Sequence, residues 1–300
     1  MRTMMFLLGV SLSALTCAYG ADVVNLQITS GGTSYPYISI NDALTTGVSA
    51  HTTTTPILTL TTATDTVEAT STDLTNFTGG VSITGASSGT TITGSSTSSG
   101  SSLFRGTIPN TINFQNISFS SFVNSTGSGI ITMPAGGALA YTADSGFTSV
   151  LTPATAGAAH DTDIASNGTA TFAKGGAGTL TLNTVNANWL GGTTINAGSL
   201  IVGDRSHTTA QWGSADTQGT ITLTSGTFGG YGKTYAPTID LSGGTWLLGL
   251  TPSTATQARL NLTGKLTLPT NIEIDGLLLG TSFTFPTGGY TVATGSWRLH

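Results

Sequence analysis

The chain has 300 residues, of which 7% are charged, 38% are hydrophobic and 41 are glycine. Globular domains usually carry about 25% charged residues, so this composition argues against a typical cytoplasmic enzyme. A net charge of only −5 with this hydrophobic content also argues against a disordered chain. Few charges, many β-branched residues and frequent glycine turns predict an all-β protein whose surfaces carry hydroxyl groups.

Residues 1–20 have the features of a secretory signal peptide. Arg2 supplies the positive charge, residues 4–15 form an apolar stretch, and residues 18–20 place small side chains at the cleavage site. We therefore expect an exported protein whose mature chain begins near Ala21.

Cys17 is the only cysteine and lies within this predicted signal. Its removal would leave a mature chain without disulfides, so stability would come from backbone pairing and burial. A lipid-modified Cys17 at the mature start is the alternative, although the preceding Ala-Leu-Thr suits that modification poorly. No later stretch has the 18 or more apolar residues of a membrane helix, which predicts a soluble mature chain or one held by another molecule.

Residues 21–165 are predicted to form a less regular Ser/Thr/Gly-rich β region. Near its start, residues 35–44 fit either a short strand with a helical turn that caps one end of the fold, or an ordinary first strand. Residues 81–102 hold strand-like islands between Ser/Gly turns. Residues 111–122 alternate as core strands, with a shift of register that places Asn116 at a corner.

Residues 166–300 contain a repeated pattern of glycine, a small or polar residue, an apolar residue, a variable residue and a second apolar residue. The five copies are residues 178–182, 198–202, 219–223, 244–248 and 264–268. A period near 20 with two-residue alternation predicts a parallel β-helix with coils of about 20 residues, in which glycines form the corners. An outer-membrane β-barrel is the alternative, but its strands would be about 9 to 11 residues long and flanked by aromatic girdles.

Alternation within each copy predicts which side chains point into the core. The second and fourth residues after glycine should point inward and the third outward. If all five copies stack, the outward residues form one column, consisting of Thr181, Ile201, Thr222, Leu247 and Thr267.

Residues 174–182, KGGAGTLTL, are followed by NWLGGTTINAGSL at residues 188–200. Together they resemble the autotransporter-associated β-strand repeat, with Trp189 where that repeat more often has Tyr or Phe. The resemblance implies a right-handed parallel β-helix in an exported passenger domain, displayed on the cell surface or secreted. Residues 136–139, GGAL, are weakly similar to the repeat of polymorphic outer-membrane proteins. The chain ends at His300 without the translocating barrel of an autotransporter. We therefore expect either a truncated reading of a longer protein or an outer-membrane translocator that is supplied by another protein.

Parallel β-helices also include polysaccharide lyases and glycoside hydrolases, so a carbohydrate-active enzyme is the alternative function. Two carboxylate pairs have the spacing of neighbours on one strand face: Asp161 with Asp163, beside His160, and Glu273 with Asp275. Acidic residues in so uncharged a chain are more often solvated turn residues. No nucleophile elbow, metal-spaced His cluster or phosphate loop occurs, so we predict no catalytic, cofactor-binding or metal site.

The remaining polar residues give few indications of a ligand. Arg205, Ser206 and His207 follow the repeat in a polar turn and are a minor candidate for ligand binding. The other basic residues are scattered along the chain, which argues against nucleic acid as a partner. The sequence predicts an adhesin-like passenger that binds host or neighbouring-cell surface molecules or glycans through an extended polar face.

Overall fold

The computed structural model describes most of the chain between Val24 and Thr294. The described residues are 24–27, 32–51, 54–60, 66–68, 72–74, 77–86, 89–94, 104–105, 111–120, 130–152, 164–166, 168–249, 259–269, 271–275 and 293–294. The predicted signal peptide lies outside them.

Short strands stack into four sheets that surround one core. Within the described residues, sheet A has 11 strands: β1 (Val24–Gln27), β2 (Ser34–Tyr37), β3 (Ile57–Leu60), β6 (Val81–Thr84), β9 (Thr111–Gln115), β12 (Ala138–Thr142), β15 (Thr171–Gly175), β18 (Gly192–Ile195), β21 (Ile221–Leu223), β24 (Ile239–Asp240) and β27 (Leu266–Thr267). Sheet B has nine: β4 (Thr66–Glu68), β7 (Thr90–Gly94), β10 (Ile117–Ser120), β13 (Thr148–Thr152), β16 (Thr179–Leu182), β19 (Ser199–Val202), β22 (Thr227–Gly230), β25 (Thr245–Gly249) and β28 (Asn271–Asp275).

Two smaller sheets complete the coils. Sheet C, which serves the N-terminal half, contains β5 (Thr72–Asp73), β8 (Phe104–Arg105), β11 (Ile131–Met133) and β14 (Ile164–Ser166). Sheet D, which serves the C-terminal half, contains β17 (Val185–Asn186), β20 (Gln211–Trp212), β23 (Lys233–Tyr235), β26 (Arg259–Asn261) and β29 (Ala293–Thr294).

Successive coils pair in parallel and in register, which confirms the predicted parallel β-helix. The chain visits sheet A, then sheet B, then sheet C or D, as in β15, β16 and β17. Parallel register partners in sheet A are separated by as few as 18 residues, from Ile221 to Ile239, and by as many as 33, from Ala138 to Thr171. Coil length therefore varies because the connections between strands differ in length.

The N-terminal end is covered by a strand and a helical segment, as one of the two alternatives for residues 35–44 predicted. Strand β1 is antiparallel to both β2 and β3. The helical segment consists of α1 (Ile40–Asp42), a π-helical turn (Ala43–Gly47) and α2 (Val48–His51), and its first turn is capped by the Ser39 hydroxyl, which accepts from the Asp42 amide at 3.0 Å. Ile40 and Leu44 are buried in the core. None of the described helices is long or apolar enough to span a membrane.

The predicted inward residues are buried in four of the five repeat copies, but the five copies do not form a single column. Copies 178–182, 198–202 and 244–248 lie in sheet B, whereas copies 219–223 and 264–268 lie in sheet A. Nine of the ten predicted inward side chains are buried: Leu180, Leu182, Leu200, Val202, Ile221, Leu223, Trp246, Leu248 and Leu266. The tenth, Leu268, is 41% exposed because it lies beyond the end of β27.

The strand that follows β19 in sheet B is β22, which the repeat pattern did not include. Leu200 pairs with Phe228 in β22, and Phe228 pairs with Trp246 in β25. The sequence of β22 does not match the repeat pattern, because Gly230 occupies the position of the second apolar residue. The predicted single outward column was therefore wrong, and its members belong to two different faces.

Candidate functional site

The structure describes one of the two predicted carboxylate pairs. Asp161, Asp163 and His160 lie outside the described residues. Glu273 and Asp275 lie on β28, where they pair in register with Leu247 and Gly249 of β25, and the Glu273 side chain is exposed.

Asp275 forms an ion pair with Arg205, a residue of the predicted polar turn. The Arg205 Nη2 and Asp275 Oδ1 atoms are 2.5 Å apart, and Arg205 Nε donates to the Tyr231 hydroxyl at 2.9 Å. The hydrogen bonds with Asp275 and Tyr231 raise the pKa of the Arg205 guanidinium. Arg205 thus crosses from the turn after β19 to β28, and it holds Asp275 in a salt bridge.

Asp204 organises the rest of the polar turn. Its Oδ1 accepts from the amides of Ser206, at 2.8 Å, and His207, at 3.0 Å, and lies 2.7 Å from His207 Nδ1. Its Oδ2 accepts from Asn183 Nδ2 at 2.8 Å, while its own amide donates to Asn183 Oδ1 at 3.2 Å. Partial burial raises the pKa of Asp204, but hydrogen bonds from His207, Ser206 and Asn183 outweigh burial and lower it overall.

A second Asn–Asp pair connects coils at another corner. Asn116 lies between β9 and β10 with a φ of 54°, which confirms the predicted corner. Its Nδ2 donates to Asp144 Oδ2 at 2.7 Å, and the Asp144 amide donates to Asn116 Oδ1 at 2.9 Å. Because each residue both donates and accepts, both Asn–Asp pairs fasten one coil to the next. The polar groups at these corners therefore stabilise the stacking of neighbouring coils.

Lys174 is a buried polar residue that the sequence did not reveal. It occupies an inward position of β15, between Tyr141 of β12 and Ile195 of β18, and its side chain is fully buried. Its Nζ contacts the carbonyl oxygens of Gly175 at 2.6 Å, Gly178 at 2.9 Å, Gly176 at 3.1 Å and Ala197 at 3.3 Å. Burial lowers the pKa of the Lys174 ammonium to about 8.

The outer face of sheet B is uncharged over seven successive strands. None of β7, β10, β13, β16, β19, β22 and β25 contains an Asp, Glu, Lys or Arg residue. Two parallel rows of outward residues run across the coils of this face. The hydroxyl row consists of Thr148, Thr179, Ser199, Thr227 and Thr245, and the aliphatic row of Val150, Thr181, Ile201, Gly229 and Leu247.

The two rows are partly accessible to solvent. Thr148 is exposed, and the other four members of the hydroxyl row are half-buried by their neighbours, as are Val150, Ile201 and Leu247 of the aliphatic row. Outward hydroxyls of adjacent strands approach hydrogen-bonding distance, as in the 3.2 Å contact between Thr93 Oγ1 and Ser120 Oγ. Strands in a sheet lie about 4.8 Å apart, so the hydroxyl row repeats at that interval.

Sheet D borders a surface groove. The groove has a volume of about 190 Å³ and is lined by Ser214, Ala215, Thr217, Tyr235, Ala236, Pro237, Asn261, Leu262 and Thr263. This lining contains no acid and no basic side chain. In the described residues, no group of three or more His, Cys, Asp or Glu side chains has an arrangement that could hold a metal ion.

Comparison with known proteins gives no match: no family model, no curated protein and no solved structure is significantly similar to this chain.

Proposed function

We propose that this protein is an exported, autotransporter-like passenger, displayed on the cell surface or secreted, with a structural and adhesive role and no catalytic site. The uncharged outer face of sheet B carries this proposal, because it offers a continuous contact surface over seven coils. A β-helix can present such a surface because every coil adds one strand to it. The predicted signal peptide and the resemblance of residues 174–200 to the passenger repeat support the same role.

The distribution of polar residues supports adhesion over catalysis. Among the described residues, Asp275 forms an ion pair with Arg205. The Asp204 carboxylate accepts hydrogen bonds from Asn183, Ser206 and His207. A glycosidase needs one carboxyl group that can donate a proton and a second one facing it across the substrate. Because Asp275 is engaged by Arg205, it does not supply the second carboxyl group that catalysis by Glu273 would need. We therefore assign neither residue a catalytic role.

Localisation and attachment test the proposed function together. Cells that make the protein are separated into cytoplasmic, envelope and medium fractions, and intact cells are treated with a protease that cannot enter them. We expect the protein in the envelope or the medium, and cleavage of any cell-bound protein. Cells that lack the gene should attach less to surfaces than their parent. A protein that stays in the cytoplasmic fraction, protected from protease, would overturn the proposal.

A further inference from the structure

We propose that the outer face of sheet B binds an uncharged polysaccharide through the hydroxyl row and the aliphatic row. This inference rests on the proposed adhesive function and specifies its ligand class. The two rows differ in chemistry and lie two residues apart on each strand, so they run side by side along the axis of the β-helix.

The hydroxyl row matches the polar edge of a sugar chain. A threonine or serine hydroxyl both donates and accepts a hydrogen bond, as do the hydroxyls of a polysaccharide. Thr179, Ser199 and Thr227 present this group on three successive coils. Because the coils stack in register, one extended chain can contact several of these hydroxyls at once.

The aliphatic row matches the C–H faces of sugar rings. Ile201 and Leu247 are half-buried outward residues, and Gly229 between them is buried, so the aliphatic row presents its side chains on alternate coils at this point. Removal of apolar surface from water is favourable, so partly exposed aliphatic side chains favour a partner with apolar patches. Each contact is weak, and binding depends on many contacts along the same chain.

The charge distribution selects an uncharged ligand. No Lys or Arg lies on the seven strands of this face, so an acidic polysaccharide would lose hydration without finding a cation. The net charge of −5 also repels polyanions. A protein partner usually carries charges of both signs on its surface, and on this uncharged face those charges would lose water without gaining a partner. The face therefore suits a neutral polymer better than a protein.

Co-sedimentation of the purified protein with insoluble polysaccharides tests the proposal. The uncharged probes are cellulose, chitin and a β-1,3-glucan, and the acidic probe is calcium-crosslinked polygalacturonate. We expect the protein to sediment with at least one uncharged polysaccharide and to remain in solution with the acidic one. Failure to bind all three uncharged polysaccharides, or preference for the acidic probe, would overturn the proposal.

Matched lysine variants locate the binding face. The double variant Thr179→Lys, Thr227→Lys places two charges on the hydroxyl row, while Ala173→Lys, Thr222→Lys places two charges at outward positions of sheet A in the same two coils. We expect the sheet B variant to lose at least tenfold in affinity and the sheet A variant to keep it, with both melting like the unmodified protein. Equal loss in the two variants, or none in either, would contradict binding at sheet B.

The localisation and binding experiments together distinguish failure of the ligand assignment from failure of the proposed function. Surface localisation and attachment without polysaccharide binding would reject this inference alone. Binding by a protein that is confined to the cytoplasm would reject the proposed function and leave the binding face intact.

Discussion

The indole rings of Trp189 and Trp212 stack inside the β-helix, with ring centroids 5.4 Å apart and planes inclined by 20°. Phe172 packs against both rings, and Trp212 Nε1 donates to Thr193 Oγ1 at 3.0 Å. Both indoles are fully buried. This cluster joins the interior sides of sheets A and D, so the large side chains of the repeat region connect different faces of the same core.

Removal of one indole should destabilise the protein strongly. Trp212→Ala leaves a large cavity beside Trp189 and Phe172 and should lower the free energy of unfolding by about 3 to 5 kcal/mol. Lys233→Ala, on the strand next to Trp212, removes a partly exposed side chain and should change it by less than about 0.5 kcal/mol. Urea unfolding monitored by circular dichroism measures both. Similar small effects of the two substitutions would show that the indoles do not fill the core.

The inward direction of Leu180 gives a second test. Leu180→Asp buries a carboxylate beside Leu200 and should cost several kcal/mol, which a large drop in the urea midpoint would reveal. Thr194→Asp is the control, because Thr194 is a half-buried outward residue between Ala173 and Thr222. Thr181 is a poorer control, since only 9% of its surface is exposed. A larger loss for Thr194→Asp than for Leu180→Asp would reverse the assignment of the two faces.

The buried ammonium of Lys174 makes stability depend on pH in the alkaline range. Its pKa is about 8 in the folded protein and 10.5 in its ordinary state, so the unfolded chain binds the proton more tightly. Its contribution to stability is therefore complete above pH 10.5 and is lost as the pH falls to 8. Relative to Lys174→Met, the free energy of unfolding of the protein should rise between pH 8 and pH 10.5 by up to about 3 kcal/mol.

Urea unfolding of the protein and of Lys174→Met at several pH values measures this difference. Comparison with the variant removes the contribution of tyrosines, which also titrate in this range. A difference that stays constant with pH would show that Lys174 keeps an ordinary pKa. A difference that falls as pH rises would show that the carbonyl oxygens around Nζ favour the charged form more than burial opposes it.

Local pattern was sufficient to predict the fold class and several of its parts. Alternation of apolar residues identified the inward positions of copies such as Leu180 with Leu182, because a strand side chain must point to one face or the other. The shift of register at Asn116 identified a corner, which the positive φ of that residue confirms. The cap at residues 35–44 was one of two alternatives, since its apolar residues fit both a helix and a strand.

Long-range pairing was not accessible from local pattern. Strands of both sheets can follow a glycine corner, as β21 of sheet A follows Gly219 and β19 of sheet B follows Gly198, so the same five-residue pattern marks strands on two faces. Arg205 and Asp275 are 70 residues apart, and no local signal pairs them. Lys174 stands where alternation expects an apolar residue, and its burial depends on carbonyl groups that only the folded turns bring together.

Both proposals depend on the outer face of sheet B, whose hydroxyl row requires Ser199 of β19 to lie beside Thr227 of β22. Neighbouring strand residues at about 4.8 Å meet the Cα separation that a disulfide requires. In the protein with Ser199→Cys and Thr227→Cys, oxidation should form an intramolecular disulfide in high yield, detected as a shift in non-reducing electrophoresis. The pair Ser199→Cys with Thr220→Cys, which stacking of consecutive repeat copies would bring together, should remain reduced. Disulfide formation by the second pair and not by the first would contradict the register of sheet B and remove the basis of its outer face.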